Sequence, residues 1–212
     1  MTPIIRNPET ELLLIVDVQN DFCGGGALAV PGGDDVVPLV NRIAQHFAHV
    51  GLTQDWHPAG HTSFASSHPG RRPNDVIMAP YGEQVLWPDH CVQGGRGAAF
   101  HPDLDVGRAE FILRKGFRKE IDSYSAFFEN DRRTATGLGG YLRERGFERI
   151  VMAGLAFDFC VRWSAEDARR LGFEVIVLED ACRSIDIAGS ASAARSALEA
   201  VGAVCAVSEQ LA

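Results

Sequence analysis

At 212 residues, 46% hydrophobic and 23% charged, the chain suits one moderately sized α/β domain with a single well-buried core. Its formal net charge of −8 argues against nucleic acid or an anionic membrane as the main partner. The apolar run Leu12 to Val16 is too short for a signal segment or a membrane span, and the five cysteines, Cys23, Cys91, Cys160, Cys182 and Cys205, form no C-x-x-C pair; a cytoplasmic protein is expected.

In chain order, the first predicted strand is Leu12–Asp17. A helix follows over Asp35–Val50, with Val36, Val40, Ile43, Phe47 and Val50 spaced by three and four. Gly51–Trp56 is a weaker strand. From His57 to Asp105 the chain is rich in Gly, Pro, His and Asp and reads as a long irregular region, a feature that is usually functional inside a compact domain. Strands are then predicted at Glu110–Arg114, Arg149–Ala153, Glu174–Leu178 and Ala203–Val207. Helices are predicted at Gly137–Arg145, Phe159–Leu171 (stopped by Gly172) and Ser190–Val201 (stopped by Gly202). Several strands are continuous apolar runs, as in strands covered on both faces. The alternation predicts an α/β fold, a three-layer α/β/α sandwich around a six-stranded, mainly parallel sheet of Rossmann-like type. With no repeat or linker in view, residues 1–212 read as one domain.

Such sheets bind ligands beyond the carboxyl ends of their strands. Asp17, Lys115 and Cys160 all fall at or just past predicted strand ends, so an acid, an amine and a thiol converge on one edge, the raw material of covalent catalysis. Each also has an ordinary reading: a turn carboxylate, a solvated lysine, a cysteine packed under its helix. Lys115 and Lys119 are the two lysines among 20 basic residues, a weak sign that an ammonium was wanted. A helix start beside Cys160 would favour thiolate and offer N–H groups to an oxyanion.

A second group begins at another strand end. Asp55, His57 and His61 lie within DWHPAGH, and His90 follows in WPDHC. One carboxylate and three imidazoles suit Zn²⁺, Fe²⁺ or Mn²⁺ with positions left open; spacing alone leaves loop capping equally open. His46 and His49 are expected on a helix surface, His68 and His101 in loops. Gly24-Gly25-Gly26 lacks the lysine and hydroxyl of a phosphate loop, and neither a G-x-G-x-x-G nor a G-x-S-x-G signature occurs.

Taken together, VDVQNDFCGGGALAV, TQDWHPAGHTSFAS, WPDHCVQG, RKG, IDSYSAF and GLAFDFCV resemble the nicotinamidases of the isochorismatase-like cysteine hydrolase superfamily, in order and from the first strand to the last. The resemblance implies that Asp17, Lys115 and Cys160 form a catalytic triad and that Asp55, His57, His61 and His90 hold one divalent metal ion, Zn²⁺ before Fe²⁺ or Mn²⁺. It implies that Phe22 and Trp87 sandwich a pyridine ring, that Tyr124 lines the site, and that Leu155–Ala156 is a non-proline cis peptide. The backbone N–H groups of Ala156 and Cys160 then form the oxyanion hole. The implied reaction converts nicotinamide to nicotinate and ammonia through a cysteine thioester, in NAD salvage, with pyrazinamide as a further substrate. The implied partner is this small molecule, and the chain is a monomer or a homo-oligomer. Phe157 and Phe159 stand where many relatives carry smaller or more polar residues, so the shape of the pocket is expected to differ. The alternatives are another hydrolase of the superfamily, acting on a carbamoyl compound or isochorismate, and a catalytically silent binding member.

Overall fold

The computed structural model describes residues 3–211. Six strands form one sheet: β1 (Glu11–Val16), β2 (Val50–Asp55), β5 (Phe111–Lys115), β6 (Arg149–Leu155), β7 (Glu174–Arg183) and β8 (Val204–Ala206). Their order is β5-β2-β1-β6-β7-β8, and every neighbouring pair is parallel. The helices are α1 (Val36–Ala44), α2 (Leu138–Glu144), α3 (Arg162–Arg170) and α4 (Ser190–Ala200).

The strand alternation sorts the core into two layers. In β1, Leu13 and Ile15 face one side, with Val151 and Ala153 of β6 and the Val36, Val40 and Ile43 stripe of α1. Leu12, Leu14 and Val16 face the other side, with Ile150 and Met152 and with Leu138, Leu142, Ala165, Ala168, Ala194 and Leu198 from α2, α3 and α4. The sheet is thus covered on both faces, and β1 is apolar from Leu12 to Val16 because neither face meets water there. Among the described residues no helix is long and apolar enough to cross a membrane.

Four expectations need correction. The first helix ends at Ala44 rather than Val50: the chain turns at residues 45–49, and Val50 opens β2 with its side chain buried. Phe47 and Val50 kept the helical period because both reach the core from the turn and strand that follow. His46 and His49 accordingly lie in that turn, not on a helix. The stretch from His57 to Asp105 is not wholly irregular; it contains an antiparallel hairpin of β3 (Val76–Ala79) and β4 (Gly82–Val85). Finally, Cys160 does not start an α-helix. It sits in a π-helical turn, Phe157–Val161, and α3 begins at Arg162.

Chain order reverses at the centre of the sheet. From β1 the chain builds outward through β2 and β5, then returns to the other flank of β1 with β6. The crevice beyond the carboxyl ends of β1 and β6 is the switch point where such folds bind ligands. At the same place β6 pairs irregularly with β7 between Met152 and Gly154. Gly154 has φ +120, and a Cβ there would stand 2.2 Å from the Val16 carbonyl oxygen, so only glycine lets β6 approach β1 this closely.

Candidate active site

Asp17 follows directly on β1 and turns into the crevice with φ +47, a conformation that costs energy for a residue with a Cβ and tends to persist at functional positions. Thr53 of β2 fixes it from both sides: the Thr53 hydroxyl donates to Asp17 Oδ1 at 2.6 Å, and the Asp17 N–H donates to Thr53 Oγ1 at 3.1 Å. Lys115, at the end of β5, is 1% exposed. Its Nζ lies 2.8 Å from Asp17 Oδ2, 2.9 Å from Asp55 Oδ1, 3.0 Å from the Ser123 carbonyl and 3.4 Å from Cys160 Sγ. One ammonium therefore touches acid, thiol and the carboxylate of the second group. Cys160 is buried in its π turn, with the Lys115 ammonium against its sulfur.

Burial pushes the Cys160 thiol well above its ordinary range, and the nearby Lys115 offsets only part of this. Burial thus works against the thiolate that Lys115 and a helix start would favour. Asp17 is also pushed up, by burial first, although Lys115 opposes the shift. Asp55 behaves oppositely. Burial would raise it, but His57 and Lys115 outweigh burial and hold it well below the usual carboxylate range. Two buried carboxylates thus have affinities for protons pushed apart, one fit to exchange a proton and the other to stay charged. Burial alone would lower Lys115, yet Asp17 and Asp55 together hold it well above the usual lysine range.

The second group rests on β2 and the long loop. Asp55 Oδ2 lies 3.0 Å from His57 Nε2 and 3.4 Å from His90 Nε2. The remaining ring nitrogens meet backbone carbonyls: His57 Nδ1 donates to Gly116 at 2.9 Å, and His90 Nδ1 donates to Pro88 at 2.8 Å. A carbonyl only accepts, so each Nδ1 carries a proton and each Nε2 is left to face the Asp55 carboxylate; burial would lower His57, but Asp55 outweighs it and favours the protonated ring. A carboxylate oxygen and two imidazole nitrogens, buried and facing one another, can hold a cation between them in place of protons, and carbonyls on the outer nitrogens are the usual support of metal-binding imidazoles. Gly116 is needed for this support: it has φ +68, and a Cβ on it would lie 2.5 Å from His57 Cε1.

His61 is placed differently. Its ring centroid is 4.3 Å from that of His57, but its Nε2 faces the carbonyls of Arg118 (2.9 Å) and Ile121 (3.2 Å). Its Nδ1 meets the Ser63 hydroxyl at 2.7 Å and the Ser63 N–H at 3.2 Å. Both nitrogens are thus occupied, and His61 shares a ligand cluster with His57 and Asp122 rather than with Asp55 and His90. Asp122, which the sequence does not single out, is 2% exposed, and its Oδ1 lies 4.0 Å from His57 Nε2. Its one signal is its place in IDSYSAF, beside Tyr124.

Between the two groups lies a small cavity of about 20 Å³, lined by Phe22, Leu28, Asp55, Trp87, His90, Asp122, Tyr124, Ala156, Phe159, Cys160 and Ile185. Phe22, Trp87, Tyr124, Ala156 and Cys160 are there as expected. The Leu155–Ala156 peptide is cis, whereas the Leu155 side chain packs in the core on the α1 face and does not line the cavity. Trp87 Nε1 donates to the Tyr124 hydroxyl at 3.1 Å, as does Gln84 Nε2 at 3.0 Å. Phe159 closes the wall edge-on to Trp87, with centroids 4.9 Å apart, while Phe157 is buried among the α2–α4 residues. Leu28, Ile185 and Phe159 complete the wall; Ile185 lies just past β7, which runs on to Arg183 where the sequence predicts an end at Leu178. The space holds about one water, so a ring must displace part of this wall, of which Leu28, Phe159 and Ile185 are only partly buried.

Comparison with known proteins follows the same lines. The isochorismatase domain family matches residues 11–210. A nicotinamidase from Acinetobacter baylyi is 54% identical over 178 residues, covering 84% of this chain and 83% of that protein. The solved nicotinamidase pyrazinamidase of Acinetobacter baumanii superposes with a TM-score of 0.95 at 50% identity, covering 96% of this chain and 99% of its own. A PnC1 structure from L. infantum in complex with nicotinate has a TM-score of 0.87 at 38% identity, covering 99% and 98%. The pyrazinamidase of Pyrococcus horikoshii, solved in complex with zinc, has a TM-score of 0.76 at 34% identity, covering 93% and 99%. The chain belongs to the isochorismatase family.

Proposed function

We propose that the protein is a nicotinamidase, hydrolysing nicotinamide to nicotinate and ammonia in NAD salvage, with pyrazinamide as a second substrate. The observation that carries this reading is the single cavity bounded by a thiol–acid–ammonium set on one side, a carboxylate and two imidazoles able to hold a cation on another, and aromatic side chains between them. Relatives named as nicotinamidases support it, as do structures holding nicotinate and zinc.

The chemistry assigns one role to each residue. Asp17 accepts the proton of Cys160, and Sγ bonds to the carboxamide carbon as the carbonyl oxygen takes the displaced electron pair. The Ala156 and Cys160 N–H groups receive this oxyanion. Its collapse breaks the carbon–nitrogen bond, and Asp17 returns the proton to the departing ammonia. Water then attacks the thioester, giving its proton to Asp17, and the carbon–sulfur bond breaks to release nicotinate and restore the thiol. Lys115 keeps its charge throughout and stabilises the thiolate as it forms. Phe22 and Trp87 hold the ring by its faces, and Tyr124 fixes Trp87.

Asp55, His57 and His90 fit a divalent cation, Zn²⁺ first, with Fe²⁺ and Mn²⁺ as alternatives; when bound, it would supply a Lewis acid for the pyridine nitrogen and so orient the carboxamide over Cys160. His61 joins them if its ring turns from the Arg118 and Ile121 carbonyls. All five cysteines are free, and the proposed compartment is the cytoplasm.

Ammonia release by the purified protein tests the reading. Nicotinamide and pyrazinamide should be hydrolysed, and benzamide, which lacks the ring nitrogen, should be a very poor substrate. Turnover of a carbamoyl compound with none of nicotinamide would overturn it.

A further inference from the structure

Cys23, Asp34 and His101 bring a thiol, a carboxylate oxygen and an imidazole nitrogen within 4.8 Å of one another. None belongs to the active site. Cys23 follows the cavity residue Phe22 and is 2% exposed. Asp34 comes from the turn before α1, and His101 from the segment that runs back along the first loop. This strip is already tied together: His101 N–H donates to the Val18 carbonyl at 3.0 Å, Asn20 N–H to Ala99 at 2.9 Å and Asp21 N–H to Gly97 at 3.0 Å.

The three groups are not consumed by one another. His101 Nε2 stands 3.4 Å from Asp34 Oδ1, a loose contact for an ion pair. Asp34 Oδ2 accepts the Gly24 N–H at 2.7 Å, which holds the carboxylate beside the loop that carries Cys23 while Oδ1 faces His101. A cavity of about 400 Å³, walled by Gly24, Gly25, Gly26, Gly97 and Pro102, opens onto the cluster from solvent. Asp21 and Arg96 also line it and cancel in charge, so the carboxylate of Asp34 sets the local sign.

We propose that Cys23, Asp34 and His101 form a second metal site, selective for a thiophilic divalent cation such as Zn²⁺, with its fourth position open to water. Sulfur, nitrogen and oxygen ligands in a tetrahedral set suit Zn²⁺, at roughly 2.3 Å to sulfur and 2.0 Å to nitrogen. The ligands must draw together by a fraction of their present spacing, and His101 must give up the 3.2 Å hydrogen bond that its Nδ1 accepts from the Asp103 N–H. Thiolate and carboxylate together neutralise the dication, which suits a half-buried site. Because burial, and then Asp34, push the free thiol up to about 11, binding displaces a proton and strengthens as pH rises. The site would fasten the loop that carries Phe22 to the 97–101 segment.

The test is equilibrium dialysis against Zn²⁺ in a Cys160→Ala background, which removes the active-site thiol as a competing ligand. Protein with Cys23 intact should hold one equivalent more than the Cys23→Ser and His101→Ala variants, whatever the Asp55–His57–His90 set holds. With Co²⁺ as probe, a thiolate-to-metal absorption band should appear and be lost in both variants; the backbone N–H of residue 101, which ties this segment to the Val18 carbonyl, is kept in His101→Ala. Equal zinc contents in all three proteins, or a cobalt band that survives Cys23→Ser, would overturn the proposal.

Discussion

The two halves of the active site are built in different ways. Asp17, Lys115 and Cys160 stand on or just beyond the ends of β1, β5 and β6, and the sheet fixes their spacing. His57 and His90 stand on the long loop, and what fixes them is a backbone carbonyl for each ring, from Gly116 and Pro88. Asp55, at the end of β2, belongs to both halves through Lys115. The first half is held by strand register, the second by local hydrogen bonds. Chemistry should therefore depend on the sheet-borne group, and orientation of the substrate on the loop-borne group.

The largest expected effect is on the sheet side. Cys160→Ala should lower nicotinamide turnover by about 10⁴-fold or more while leaving the unfolding transition in place, and Cys160→Ser should be nearly as poor because a hydroxyl is harder to ionise. Substantial turnover by Cys160→Ala would refute covalent catalysis. Asp17→Asn keeps the shape but cannot carry the proton, and should cost about 10²–10⁴-fold in kcat.

Lys115 joins the halves, so its removal should register in both. Lys115→Ala leaves two buried carboxylates without their cation, and stability measured by urea unfolding should fall by about 3–5 kcal/mol. Since the ammonium lowers the Cys160 thiol against the upward push of burial, its loss should shift alkylation by iodoacetamide to higher pH. An unchanged alkylation profile would place the lysine charge outside the thiol's influence.

Smaller effects separate the loop residues from one another. His57→Ala and His90→Ala should lose bound metal and activity together, whereas His61→Ala should retain more of both, because His61 spends its ring nitrogens on Ser63 and two carbonyls. Equal metal loss in all three would show that His61 turns inward. The smallest expected change is at the wall: Trp87→Ala and Phe22→Ala should raise KM more than they lower kcat, by about 0.5–1.5 kcal/mol per stacking pair beyond area burial. Phe159→Ala should widen the range of ring substituents accepted, seen as a rise in kcat/KM for substituted nicotinamides relative to nicotinamide.

The same division explains what is legible in the sequence. Apolar runs mark the strand ends, and a parallel sheet gathers those ends, so the amino-acid order alone places Asp17, Lys115 and Cys160 on one edge. Asp55, His57 and His90 stand out as a ligand-rich stretch, but the directions of the His57 and His61 rings do not, because they depend on carbonyls distant in sequence, Gly116 for His57 and Arg118 for His61. Asp122 escapes for the same reason. It reaches the site by a loop that Gln84 anchors through a 2.9 Å hydrogen bond from the hairpin, and that hairpin is itself hidden in a stretch lacking apolar periodicity. The π turn at Cys160 is also invisible, since its residues keep a helical pattern.

The measurement that bears most directly on this division compares two properties of the same metal-stripped sample, with its metal content checked by elemental analysis. Nicotinamide turnover should be lost and should return on adding Zn²⁺, Fe²⁺ or Mn²⁺. Cys160 should still be alkylated by iodoacetamide in the stripped protein, because the thiol's surroundings are set by Asp17 and Lys115 on the sheet. Full nicotinamide turnover by protein containing no metal would contradict the separation of chemistry from orientation.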